Sequence, residues 1–132
     1  MNIAIVTGAS SGLGKEYVYA INERYSSLDE IWVVARREDR LNELKATLGE
    51  KIRVVAADLT NEQDLLKISE LLKETSADVR LLVNNAGFGK IGDFKDLPLG
   101  ENTGMIRLNC EALTAVTSTV LPFMKRSVKS LT

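Results

Sequence analysis

The segment Thr7-Gly8-Ala9-Ser10-Ser11-Gly12-Leu13-Gly14 carries three glycines spaced G-x-x-x-G-x-G and follows at once on the apolar run from Ile3 to Val6. Glycine permits a tight turn and lets backbone N–H groups come close to a charged ligand, and the dipole of a helix beginning there favours negative charge. The pattern suits a pyrophosphate, with the Ser10 and Ser11 hydroxyls as further donors. The competing reading is a strand-to-helix turn whose glycines serve packing alone. A P-loop is excluded, because it needs four residues between its first glycine and a Gly-Lys followed by Ser or Thr. Here five residues separate Gly8 from Gly14, and Lys15 is followed by Glu16.

A second group of candidate residues closes the next apolar run, at Val34-Ala35-Arg36-Arg37. In dinucleotide folds a carboxylate at this point bonds the ribose 2′-hydroxyl and repels a 2′-phosphate. No acid stands at this turn, and Arg36 lies 22 positions after Gly14 (36 − 14). A guanidinium offers bidentate donors to a phosphate and stays charged at every relevant pH, so the turn implies NADP(H) in preference to NAD(H), with Arg36 the better placed of the two. The alternative is a solvated basic pair balanced by Glu38 and Asp39.

These residues need a scaffold, and the sequence supplies one. Ile3 to Val6, Ile31 to Ala35, Ile52 to Ala56 and Val79 to Val83 are short runs rich in β-branched residues, as parallel strands buried on both faces require. Between them Leu13 to Tyr25, Arg40 to Leu48 and Asn61 to Thr75 have helical length and mixed polarity, the last opening with Thr60 and Gln63 at capping-box spacing. Right-handed crossovers in a βαβαβαβ chain place helices on both faces of a parallel sheet, which predicts a doubly wound α/β fold. A loop from Asn84 to Asp96 precedes a long helix from about Glu101 to Lys125, which Pro122 ends or bends.

TGASSGLG at the first turn, together with Asn84-Asn85-Ala86-Gly87 after the fourth strand, makes the chain resemble the short-chain dehydrogenase/reductase family as far as about Lys125. The resemblance implies a Rossmann-like, three-layer α/β/α sheet of order 3-2-1-4 and an oxidoreductase of carbonyl or alcohol substrates. It implies a nicotinamide nucleotide held by Gly8, Ser10, Ser11, Gly12, Leu13, Gly14, Arg36, Arg37, Asp58, Leu59, Asn85, Ala86 and Gly87. By the same resemblance Asp58 contacts the adenine amino group, the two asparagines steady the sheet, and Ala86 and Gly87 pass the nicotinamide ribose. Asn109 falls where the family places a catalytic asparagine supporting a proton-relay water. Read without the family, Asp58 favours a helix start by its charge and Asn109 is a polar residue bonded to backbone.

Family members also use a tyrosine as acid/base, a lysine four residues later and a serine. Tyr17, Tyr19 and Tyr25 are followed four positions on by Ile21, Glu23 and Asp29, so no Tyr-x-x-x-Lys exists in the chain. Positioned acid catalysis commonly contributes factors of about 10² to 10⁴, so the 132-residue chain is expected to be inactive by itself. Where the family turns through glycine into a fifth strand, Ser127-Val128-Lys129-Ser130-Leu131-Thr132 stands instead. The sheet is therefore expected to stop before a fifth strand, leaving Val79 to Val83 and the helix around Met105 to Met124 open to homo-oligomerisation. Three readings stay open: an inactive front part of an oxidoreductase, a standalone NADP(H)-binding or sensing module, and a nonfunctional remnant.

Composition narrows the field further. With 45% hydrophobic and 27% charged residues the chain can bury a core as one domain over residues 1–132. Its 17 basic and 18 acidic side chains, net −1, create no general field for nucleic acid or an anionic membrane. One cysteine and no histidine exclude an internal disulfide, a Cys/His zinc site and Ser-His or Cys-His catalysis, and they suggest a reducing, cytoplasmic compartment. Cys110 itself reads as a small core residue. No stretch approaches the ~18 apolar residues of a membrane span.

Overall fold

The computed structural model describes residues 1–85, 114–124 and 129–131. Strands β1 (Asn2–Thr7), β2 (Glu30–Ala35), β3 (Ile52–Ala56) and β4 (Asp78–Asn84) alternate with helices α1 (Gly12–Arg24), α2 (Glu38–Leu48) and α3 (Glu62–Glu74). Helical residues 114–120 (α4) then lead into a 3-10 turn at Leu121–Phe123. Pro122 lacks the N–H that would extend the helix, and Met124 is already extended.

Every strand pair is parallel, and the order is β3-β2-β1-β4-β5, with β5 at Lys129–Leu131. The 3-2-1-4 order is as the sequence implies, but the expected end of the sheet at its fourth strand is not. Leu81, Leu82 and Val83 pair with Lys129, Ser130 and Leu131. A bare strand edge presents unpaired N–H and C=O groups, and the end of the chain supplies partners for them. The β4 edge is thus partly covered, against the expectation that it stands open for another copy.

The strands alternate their side chains between two cores, as the period of two demands. Ile3, Ile5, Trp32, Val34, Val79 and Leu82 pack with Ile68 and Leu72 of α3 and Val116 and Val120 of α4. Ala4, Val6, Ile31, Val33, Leu81 and Val83 pack with Val18 and Ile21 of α1 and Leu41 and Leu44 of α2. The result is three layers, helix pair, sheet and helix pair. Phase along β4 is kept by a register shift: Ile3 faces Val79, but Ala4 faces Leu81, leaving Arg80 as the extra residue. Without that shift Leu81 to Val83 would turn to the opposite faces. Arg80 instead reaches Asp78, with Nη1 3.0 Å from Oδ2.

The cap of α3 differs from the expected Thr60–Gln63 box. Asn61 is the N-cap, its Oδ1 accepting the N–H groups of Gln63 at 2.8 Å and Asp64 at 3.3 Å. Thr60 lies one residue before that cap, and its hydroxyl donates to Asp58 Oδ1 at 2.6 Å.

Candidate functional site

The first wall of the site is the turn from β1 into α1. Gly8 has φ 65°, a left-handed conformation that costs glycine least. Ser11 is the N-cap of α1: its Oγ accepts the Gly14 N–H at 3.1 Å and donates to the Gly8 carbonyl at 2.9 Å. Gly14 is buried beneath the turn, where an added Cβ would overlap the Gly8 carbonyl oxygen and stand 2.9 Å from Ala9 Cα. Gly12 differs from both. A Cβ there would meet nothing within 4 Å, and its φ is not left-handed, so nothing within the described residues requires glycine.

The end of β4 locks this turn. The Thr7 hydroxyl donates to the Val83 carbonyl at 3.4 Å and accepts the Asn85 N–H at 3.0 Å, while Asn85 Nδ2 donates to Ser11 Oγ at 3.0 Å and the Gly8 carbonyl at 3.4 Å. Asn84 Nδ2 donates to Thr117 Oγ1 at 3.2 Å, tying the same strand end to α4. Thr7, 1% exposed, was not among the residues the sequence singled out. In the sequence it opens the TGASSGLG segment, a lone hydroxyl at the end of an apolar strand with no role of its own assigned.

The second wall is formed by the ends of β2 and β3. The Ala9 N–H donates to the Val34 carbonyl at 3.3 Å and the Ala57 N–H to the Ala35 carbonyl at 2.9 Å, which draws the three strand ends together. Gly8, Ser10, Ser11, Val34, Ala35, Arg36, Arg37, Ala57, Asp58, Leu59 and Asn85 line one open cleft of about 150 Å³. Glycine loop, arginine pair and Asp58 therefore converge, as the sequence implies, and Val34, Ala35 and Ala57 add an apolar floor it did not single out.

Not every expected residue faces the cleft. Gly12, Leu13 and Gly14 lie in the first turn of α1 beside or beneath it, and the Leu13 side chain is exposed. Ser11 is also not the free donor expected, because its one hydroxyl proton goes to Gly8. Ser10 keeps that possibility, its hydroxyl having no partner among the described residues. Ala86, Gly87, Asn109 and Cys110 lie outside the described residues.

Charge on the second wall is ordered. The Asp58 carboxyl is held below the usual carboxylate value, first by the Thr60 hydroxyl, then by the Thr60 N–H at 2.9 Å and by the charge of Arg36, against the opposing effect of burial. Arg37 pairs with exposed Asp39 at 3.4 Å and lowers its pKa in turn. The solvated-pair reading thus describes Arg37, whereas Arg36 acts on the cleft's own carboxylate. Among the described residues no helix is long and apolar enough to cross a membrane.

The sequence matches the short chain dehydrogenase family over residues 2–130, and the chain belongs to that family of oxidoreductases. It is 35% identical over 127 residues to sulfoacetaldehyde reductase 2 of Chromohalobacter salexigens, covering 92% of this chain and 48% of that protein. It is 32% identical over 133 residues to a very-long-chain 3-oxoacyl-CoA reductase of Yarrowia lipolytica, covering 96% of this chain and 33% of that one. The chain therefore spans between a third and a half of the length of these two relatives. Among solved structures, a short-chain dehydrogenase from Sphingobium yanoikuyae in complex with NADPH superposes with TM-score 0.70 at 32% identity, over 92% of this chain and 48% of that one. One from Brucella melitensis reaches TM-score 0.78 at 21% identity, over 98% and 52%, a likeness of fold.

Proposed function

We propose that residues 1–132 act as one nucleotide-binding unit of an oxidoreductase of carbonyl or alcohol substrates, and that the unit holds NADP(H) in preference to NAD(H). The observation that carries this reading is the second wall: β2 ends in Arg36 and Arg37, with no carboxylate, on the cleft that the glycine turn opens. A carboxylate there would repel a 2′-phosphate, and guanidinium groups attract one. The Sphingobium relative's NADPH supports the same choice.

In this reading the pyrophosphate lies at the start of α1, where Gly12 leaves space among the described residues, Ser10 offers a hydroxyl with no partner among them and the helix dipole is favourable. Arg36, with Arg37 beside it, holds the 2′-phosphate. Asp58 and Leu59 border the adenine, Asn85 keeps the turn in shape, and Ala86 and Gly87 approach the nicotinamide ribose. When bound, the nicotinamide supplies or accepts the hydride. Asn109 alone provides no acid for the substrate oxygen, and the chain has no Tyr-x-x-x-Lys, so binding without turnover is expected of these 132 residues.

Assembly of copies through the α4 side, where Leu121 is exposed, and residence in a reducing cytoplasm belong to the same reading. Light scattering of the eluting chain tests assembly, and a clean monomer speaks against it. The cofactor claim is tested by calorimetric titration with NADPH and NADH. NADPH is expected to bind at least about tenfold tighter, a difference of about 1.4 kcal/mol. Equal affinities would remove the preference, and no binding of either would reduce the glycine segment to a turn.

A further inference from the structure

We infer that Asp64, on α3 and behind the cleft, is a positioning residue that sets the base selectivity of the nucleotide site by holding Asp58 in place. This rests on the nucleotide reading above and deepens it. Asp64 Oδ2 accepts the Asp58 backbone N–H at 2.8 Å, which fastens the loop after β3 to the first turn of α3. Asp64 is itself fixed, because its own N–H bonds the Asn61 cap. Within the loop the Thr60 N–H and hydroxyl both donate to Asp58 Oδ1, and the Asn61 N–H donates to the Asp58 carbonyl at 3.0 Å.

Backbone and one carboxylate oxygen of Asp58 are thereby committed. The other oxygen has no hydrogen-bond partner among the described residues, on a side chain that lines the cleft. An ionised carboxylate accepts and cannot donate, so it matches an amino group and rejects a carbonyl oxygen, which would leave two acceptors face to face. Adenine presents the amino group at its six position and hypoxanthine a carbonyl. Asp64 is not among the cleft-lining residues and acts on the base only through Asp58.

The test is a calorimetric titration of the full 132-residue chain with NADPH and with the analogue carrying hypoxanthine in place of adenine. Wild type is expected to favour NADPH about tenfold, as one hydrogen bond to a charged group allows. Asp64→Ala brings that ratio close to one yet keeps the NADPH-over-NADH ratio, which Arg36 sets. Asp64→Asn retains the wild-type base ratio, since its amide oxygen still accepts the Asp58 N–H. Thr60→Val, at an exposed position, removes the hydroxyl bond to Oδ1 while the backbone N–H bond and α3 stay in place, and it lowers the base ratio too, so it serves where Asp64→Ala does not fold. A base ratio unchanged in Asp64→Ala, or in Thr60→Val where Asp64→Ala does not fold, overturns the inference alone, as does a wild-type chain that binds NADPH without distinguishing the bases. A wild-type chain that binds no NADPH overturns the nucleotide reading and this inference with it.

Discussion

The two walls of the cleft are held by different forces. At the β1–α1 turn the restraint is steric and buried: Gly8 is left-handed, Gly14 has no room for a methyl group, and Thr7 bonds β4 from a position 1% exposed. At the ends of β2 and β3 it comes from side-chain bonds and charge near water, among Arg36, Arg37, Asp39, Asp58 and Thr60. Substitutions on the first wall should therefore act on the fold, and those on the second on ligand choice. Gly12 stands on the first wall but belongs with the second, since no neighbour among the described residues demands it.

The strongest challenge to that division is Gly14→Ala. Alanine in a helix ordinarily stabilises, but here the methyl would meet backbone, and overpacking of this kind costs about 3 kcal/mol. Urea unfolding should show the loss, and an unchanged midpoint would mean the first wall yields. Next in size, Arg36→Ala should weaken NADPH about tenfold, near 1.4 kcal/mol, and move NADH by less than about twofold. Its urea midpoint should stay at the wild-type value, because Arg36 lies on the exposed rim. Arg37→Ala should do less in the titration, since that guanidinium already pairs with Asp39.

Gly12→Ala sharpens the comparison by separating fold from ligand. Stability should rise by about 0.5–1 kcal/mol as alanine replaces glycine in a helix, while nucleotide affinity falls because the methyl fills the space left for the pyrophosphate. Gain in both would return Gly12 to the packing glycines. The smallest effect concerns pH. The folded Asp58 pKa is depressed, so its contribution to stability is present above the unfolded value of about 4 and is lost as pH falls through the folded one. The stability gap between wild type and Asp58→Asn should be constant above about pH 5 and close as pH falls below about 4, small throughout because solvent screens the rim. Denaturant midpoints across that range check it, and a gap that widens in acid contradicts the assignment.

Much of the site was legible because its signals are short in range. The G-x-x-x-G-x-G turn, the missing acid after Ala35 and the strand periodicity each sit within a few residues, where backbone sterics and turn chemistry operate. Illegible were features that depend on what another segment brings. The Thr60–Gln63 spacing fits a capping box, yet Asp58 takes the Thr60 hydroxyl and Asn61 caps instead. Ser11 reads as a phosphate donor until the Gly8 carbonyl claims its proton.

The sequence by itself determined the order of elements, the βα turn and the basic end of β2, because local propensity and residue chemistry suffice for these. Tertiary structure alone divided the three glycines between packing and open space, since that depends on which backbone crosses above each one. It also placed the extra residue of β4 at Arg80, where the faces of β1 and β4 must stay in phase. And it brought Lys129–Leu131 onto the β4 edge, a pairing decided by unsatisfied backbone groups rather than by any pattern in the residues that form it.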